Sequence, residues 1–547
     1  LSPGHEIPGA VSALSDEALA FAIEVIDASK VAERIEEHLV RSTGRPRLLE
    51  VRCLLVALLA LALDDRPLHL KAATRLLFCD ISEHWRRVLG VRGEATTKKC
   101  FLARYRQVRY LFHLALSVAD PSVEAKNRVV REGELASMRK GLSEAEIALR
   151  RGRLETFVSN LIEASVRVAS DEELCAFDGS VGLDATVLPL FSRGPSTRTK
   201  TCASDPDGAW YVREGDHRDV EGPSAKKLRK LFWALEATIG TMGRPPGAEP
   251  THPNLVLAAC LGRPGEDPGG TGVRMLASVR KRGWPARRAG ADRGYTQTLP
   301  ERFHLPARAL GYDIVIDYRA DQLGRQANSH GAVMVDGSFY CPAMPEPLVT
   351  AGGDQRAGVI EETLFKERID ARRPWRLVRK QGPDHDGYER FCCPAQGEHP
   401  HLCCPLRPGA RALGKVPVTA PPEVPPRVCT QSSVTIAPDV GARHRQDLAY
   451  GSEEWARVYA TYRNTIEGTN GFVKDPAHES LQAPGRRRVR GIAAQSLFMA
   501  LLIMSANVRK IRTFREMAAN DEGPTVAQRA RRRRMSITDY RPPPPSA

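Results

Sequence analysis

No uninterrupted apolar run in this sequence is long enough to cross a bilayer. The longest, Leu54 to Leu63, suits a buried helix. Ala493 to Val508 is longer, but Gln495, Ser496, Ser505 and Asn507 break it. No charged and then apolar leader stands at the N-terminus, so no secretion signal and no membrane partner are expected. The first residue is Leu rather than Met, which fits a fragment or a missing start. A disulfide framework is missing as well. The twelve cysteines are scattered through a long chain, which points to a reducing compartment, the cytoplasm. Negative charge is in deficit. Lys and Arg number 80 against 65 Asp and Glu, giving a formal net charge of +15. Such a balance favours an anionic partner, nucleic acid first, although an arginine-rich genome would produce it too.

What is present divides along the chain. The 547 residues, 42% hydrophobic, suffice for several cores. Residues 1–165 read as a helical N-terminal domain. Its segments are Ala10 to Val40, with Ser15, Asp16 and Glu17 as a helix start, then Arg47 to Leu63, His69 to Phe78 and Lys98 to Val118. DNA contact or a plain helical bundle both fit this region, and it carries no clean helix-turn-helix pattern. From 166 to 320 strands enter: Val181 to Leu190, Asn254 to Cys260 and Tyr312 to Tyr318, bounded by Gly and Pro. Mixed strands and helices predict an α/β layer. Residues 321–445 hold most cysteine pairs and the Pro-rich stretch Pro417 to Pro426, and read as an insertion with short strands near Val333 to Tyr340 and Val434 to Ile436. Helices resume over 446–515. Residues 516–547, with Arg531 to Arg534 and Pro542 to Pro545, read as a basic, Pro-rich disordered tail.

Three acidic residues organise this layout. Asp184 lies within the strand-like run Val181 to Leu190. Asp292 follows an apparent strand in Ala291-Asp-Arg-Gly-Tyr295. Glu467 lies in a helix-like segment, Tyr462 to Lys474. Two strand carboxylates and one helix carboxylate offer hard oxygen ligands, suited to two Mg²⁺ ions acting on a phosphodiester. Asp178 is a nearby alternative to Asp184, with less strand-like flanks, and Asp317 follows a good strand without a catalytic context. On an ideal helix four residues overshoot one turn by about 40°, and seven fall about 20° short of two. Arg463, Glu467 and Lys474 therefore share a stripe, where two cations could grip phosphates beside a metal-binding carboxylate. The bland alternative is an exposed i,i+4 pair of about 0.2–0.5 kcal/mol.

Together and in order, Leu183-Asp-Ala-Thr186, Ala291-Asp-Arg-Gly-Tyr295 and Tyr462-Arg-Asn-Thr-Ile-Glu467 with Lys474 resemble the DDE transposases of bacterial insertion sequences. Many of these carry a Tyr, Arg, Glu, Lys signature in which Arg precedes Glu by four and Lys follows it by seven, as here. The signature tyrosine would fall at Ala460, flanked by Tyr459 and Tyr462. The resemblance spans roughly 175 to 515. It implies an RNase H-like catalytic core, a mixed sheet with flanking helices, preceded by the helical domain and interrupted by the insertion. Asp184, Asp292 and Glu467 would be catalytic and would hold two Mg²⁺ or Mn²⁺ ions. Arg463 and Lys474 would bind DNA phosphates. One ion would activate water or a DNA 3′-OH and the other would stabilise the leaving oxygen. The partners implied are double-stranded DNA, at element ends and target, and a second copy of the chain in the DNA complex. A related nuclease without strand transfer, or a domesticated inactive DNA-binding protein, are the competing readings.

Cys392-Cys393 and Cys403-Cys404 form two vicinal pairs, each followed by Pro, with His385, His399 and His401 close by and Cys341 and Cys429 further off. Structural zinc could use four of these, with the two vicinal pairs as the first candidates. The usual Cys-x₂₋₄-Cys spacing is missing, and adjacent cysteines rarely both ligate one ion. Buried or incidental thiols are the alternative.

Overall fold

The computed structural model describes residues 15–39, 47–122, 126, 129–139, 143–196, 198–214, 229–245, 251–407 and 415–519. The start of the first expected helix and the expected tail from 520 onward lie outside these residues. The tail reading fails at its beginning, because residues 516–519 continue the last helix, Ile492–Ala519.

The protein is mixed α/β. Six strands build one sheet: β1 (Val181–Pro189), β2 (Ala209–Glu214), β3 (Arg229–Met242), β4 (Val256–Gly262), β5 (Arg288–Ala291) and β6 (Asp313–Ile316). β1 is central. It runs antiparallel to β3 on one side and parallel to β5 on the other, and β5 pairs in parallel with β6. Ala234 of β3 pairs with both Pro189 of β1 and Ala209 of β2, so β2 lies on the edge of β3 away from β1. β4 pairs antiparallel with β3 further along.

A strand at a sheet edge leaves N–H and C=O groups that must find partners when buried. Two amide side chains supply them here. Asn507, fully buried on the last helix, accepts from Val256 N at 2.9 Å and donates to Val256 O at 2.9 Å, covering β4. Gln446 does the same for β6, accepting from Ile316 N at 3.1 Å and donating to Ile316 O at 2.9 Å.

The last helix is long and apolar enough, by length and composition, to cross a membrane, but 89% of its apolar window is buried inside the protein. Its polar residues serve that burial, as Asn507 shows. Its N-terminus is held by two carboxylates from the loop before β2. Asp205 accepts from Gly491 N at 3.1 Å and Asp207 from Ile492 N at 2.6 Å. Burial, and then the charge of Asp207, pushes the Asp205 carboxyl up to about 7.

The N-terminal helices are not set apart from the sheet. Val51–Leu63 is buried from Cys53 through Ala62 and packs on Asp16–Ser29 and on the last helix. Helix Glu144–Val166 packs on both the last helix and β4, and one apolar core runs continuously from the N-terminal helices into the sheet.

Between β6 and the next long helix lies an α+β segment. β7 (Arg325–Ser329), β8 (Ala332–Val335) and β9 (Ser338–Tyr340) form an antiparallel sheet. Two helices follow, Glu346–Arg356 and Glu362–Ala371. Then β10 (Val378–Gln381), β11 (Glu389–Cys392) and β14 (Val434–Ile436) form a second antiparallel sheet, with β12 (Leu402–Cys403) and β13 (Val416–Pro417) paired in parallel beside it. A buried ion pair, Arg372 to Asp336 at 2.8 Å, ties the second of these helices to the β8–β9 turn.

Candidate active site

Helix Glu453–Lys474 carries the third acid. Ser452 caps it by accepting from Trp455 N, and Glu453 and Glu454 in the first turn complement the helix dipole. Its buried stripe includes Tyr462, Ile466 and Asn470, four residues apart. The sheet is smooth where this stripe lands. Gly182 of β1 and Gly290 of β5 are direct partners across the parallel pair. A Cβ on Gly290 would stand 2.6 Å from Tyr462 Cδ2, and one on Gly182 would stand 2.6 Å from Ile466 Cγ1. The paired glycines thus let the helix sit directly on the two strands.

This seating delivers the acids. Side chains alternate along a strand, so Asp184 shares the helix-facing side of β1 with Gly182. One helical turn beyond Ile466, Asn470 Nδ2 donates to Asp184 Oδ2 at 2.5 Å. Asp292 follows the end of β5 and opens the turn Arg293–Gln297. Burial raises the Asp184 carboxyl above its usual range, and the charge of Asp292 adds to that, while Lys474 and Asn470 oppose it. Asp184, Asp292, Arg463, Glu467 and Lys474 line one cleft of about 630 Å³, together with Asn470, Tyr459 and Arg293.

Glu467 is placed differently from the two aspartates. Its carboxylate is more than half exposed and pairs with Arg463 Nε at 2.9 Å. That is the bland i,i+4 geometry, realised inside the cleft. Neither neighbour of position 460 is idle. Tyr462 is buried on the glycines, and Tyr459 lines the cleft and bonds to Arg463.

The alternative acids lie elsewhere. Asp178 accepts from Ser180 N and pairs with Arg287 at 2.6 Å. Asp317 accepts from Tyr450 Oη at 2.7 Å and pairs with Arg356. A larger cavity, about 1070 Å³, lies between β6 and the insertion. Arg379 pairs there with Glu389 and Asp447, and none of the three acids lines it. The smaller cleft is therefore the better site for chemistry.

Asn470 was not singled out in the sequence, though its spacing of four from Ile466 and from Lys474 marks it as part of the helix's sheet-facing stripe. Tyr295 ends the Ala291-Asp-Arg-Gly-Tyr295 motif but has no role assigned to it from the sequence. It is fully enclosed against Phe303, and burial, together with the charges of Asp184, Glu236 and Asp292, holds its phenol above the usual range.

Two carboxylates lining one partly buried cleft, one of them held by the Asn470 amide, fit a hard divalent cation chemically. As the side chains stand, no group of three His, Cys, Asp or Glu among the described residues is gathered to hold an ion. The histidines near the vicinal cysteines, His385, His399 and His401, are exposed. No protein-family model and no curated protein matches the chain, so the functional reading rests on this geometry and on the motifs.

Proposed function

We propose that the protein is a metal-dependent DNA-cutting and strand-joining enzyme of the DDE transposase type, built on an RNase H-like core. The observation that carries this reading is the convergence of Asp184 and Asp292, with Glu467, Arg463 and Lys474, on one cleft. The sheet supports it. The first acid is on the central strand, the second follows the adjacent parallel strand, and the third is on a helix laid across both.

Asp184 and Asp292 would hold Mg²⁺ or Mn²⁺. When bound, the ions supply Lewis-acid activation of the attacking oxygen and neutralise charge on the phosphate. Asn470 keeps the Asp184 carboxylate oriented through its amide donor. Glu467 would complete the set by leaving Arg463, an exposed i,i+4 pair of a kind worth only about 0.2–0.5 kcal/mol. Arg463, which also bonds to Tyr459, would join Lys474 in gripping DNA phosphates.

The test is strand cleavage and strand transfer on DNA carrying the sequences that flank the gene, in Mg²⁺. Asp184→Ala, Asp292→Ala and Glu467→Ala should each abolish cleavage and leave DNA binding largely intact. Wild-type cleavage by any of the three removes that residue from the site. Cleavage without joined product would instead support a nuclease.

A further inference from the structure

Four cysteines outside the cleft lie in two adjoining buried clusters of the insertion, and they are not the two vicinal pairs. Cys341 follows β9, Cys393 follows β11, Cys404 follows β12, and Cys429 sits in the short helix Arg427–Thr430. All four are buried. Cys341, Cys393 and Cys404 belong to one apolar cluster and Cys429 to the next, with Leu406 packed against both. None of the four is in a disulfide.

The first three share a local structure. Each begins a Cys-Pro-x-x turn closed by a backbone bond from the fourth residue to the cysteine carbonyl. These are Met344 N to Cys341 O at 3.1 Å, Gln396 N to Cys393 O at 3.0 Å and Arg407 N to Cys404 O at 2.9 Å. Each cysteine thus stands at the first position of a closed four-residue turn. In two of them the following amides, Ala343 N–H and Ala395 N–H, donate toward the sulfur. A thiolate gains from such donors more than a thiol does.

Cys341 lies near Cys393, Cys404 and Cys429, and Cys429 lies near Cys393 and Cys404. Cys392 and Cys403 fall out of the set. Leu402 and Cys404 are buried in the cluster, and strand alternation turns Cys403 away from it. Arg407 is the local cation, with a buried Nε that has no hydrogen-bond partner among the described residues.

We infer that Cys341, Cys393, Cys404 and Cys429 form a structural zinc site that clasps the insertion. The four side chains must turn inward within their turns to reach the ion, since they are not yet gathered around a common point. On binding, each S–H bond breaks, its proton goes to solvent, and four Zn–S bonds form. No oxidant takes part. The excess negative charge of four thiolates on one Zn²⁺ faces Arg407, whose unused Nε–H gains an acceptor. A closed all-sulfur shell suits a structural rather than a catalytic ion.

The test uses the full chain purified without chelator. Elemental analysis should find about one zinc per chain. Titration with a mercurial should release it as four thiols react. Cys341→Ser and Cys429→Ser should lose most of the zinc, while Cys392→Ser and Cys403→Ser should keep it. Should the first two variants fail to fold, Co²⁺ exchanged into the wild type should give a tetrahedral spectrum with the sulfur charge-transfer intensity of four thiolates. The inference is overturned if wild type neither carries nor takes up zinc. It is also overturned if zinc survives Cys341→Ser and Cys429→Ser but is lost with the vicinal partners, or if iron occupies the site instead.

Discussion

Adding one methyl group at Gly290 should unseat the acidic helix. The new Cβ would lie 2.6, 2.8 and 2.9 Å from Tyr462 Cδ2, Cγ and Cβ. Carbon atoms prefer about 3.5–4.0 Å, so the gap must open by about 1 Å. Tyr462 cannot swing clear, because the clash includes its own Cβ, which is fixed to the helix backbone, and its ring is buried. Helix and strand must therefore separate, and overpacking of this kind costs about 1–3 kcal/mol. A control lies on the same helix. Gly468 is exposed and an added Cβ there meets nothing within 4 Å. Gly468→Ala should stabilise by about 0.5–1 kcal/mol, the ordinary gain for a helical glycine. Two alanine substitutions thus have opposite predicted signs, readable as shifts in the urea midpoint of the full chain. Gly290→Ala with Tyr462→Ala should cost less than the two changes summed, because truncating the ring removes most of the clash. The lift should also carry Asn470 off Asp184, and a misplacement of about 1 Å can cost roughly 10²-fold in rate. If Gly290→Ala unfolds at the wild-type midpoint, or adds its cost fully to that of Tyr462→Ala, the helix does not rest on this glycine pair.

Other outcomes follow from single contacts. Asn470→Ala removes the donor to Asp184. Hydrogen bonds to charged groups are worth about 1.5–3 kcal/mol, so cleavage should fall roughly 10–150-fold with DNA affinity nearly unchanged in a filter-binding assay. Lys474→Ala should reduce the salt dependence of DNA binding by about one unit of log–log slope if the ammonium holds one phosphate, and should slow cleavage more than it weakens binding. Asp205 is buried with its carboxyl raised to about 7, from an ordinary 3.8. A raised carboxyl keeps its proton in the folded chain. Its stabilising contribution is therefore full below about pH 4 and is lost as pH rises to about 7. Asp205→Asn keeps an acceptor for Gly491 N–H without the charge, so its stability relative to wild type should improve as pH rises from 5 to 8, measured by thermal unfolding.

How much of this was legible beforehand differs by element, for physical reasons. Val181 to Leu190, Asn254 to Cys260 and Tyr312 to Tyr318 match β1, β4 and β6 closely, because short apolar runs between Gly and Pro mark buried strands. β2 and β3 were missed. Both are mixed in character, with Trp210, Val212, Leu231 and Phe232 partly exposed, and β3 opens on Arg229 and Lys230, so neither alternates cleanly. Helix Glu144–Val166 was missed too. Its first turns are charged and its buried residues gather only from Leu154 onward.

The cleft shows where pattern reading stops. Position on a strand or helix stripe is a local property, and Asp184, Asp292, Arg463, Glu467 and Lys474 could be found from it. What joins them is the contact of Tyr462 and Ile466 with Gly182 and Gly290, residues that pair only because β1 and β5 are parallel and in that register. A register shifted by one would turn Asp184 to the opposite face of the sheet, away from Asn470. The cysteines make the same point from the other side. Adjacency in sequence singled out Cys392 with Cys393 and Cys403 with Cys404, yet neighbours on a strand face opposite ways, so a vicinal pair offers at most one sulfur to a given centre. The partners Cys341 and Cys429 are distant in the chain and become visible only when β9 and the helix Arg427–Thr430 pack into two adjoining buried clusters that share Leu406. In both places residues that local sequence marks singly become neighbours only through the packing of separate elements.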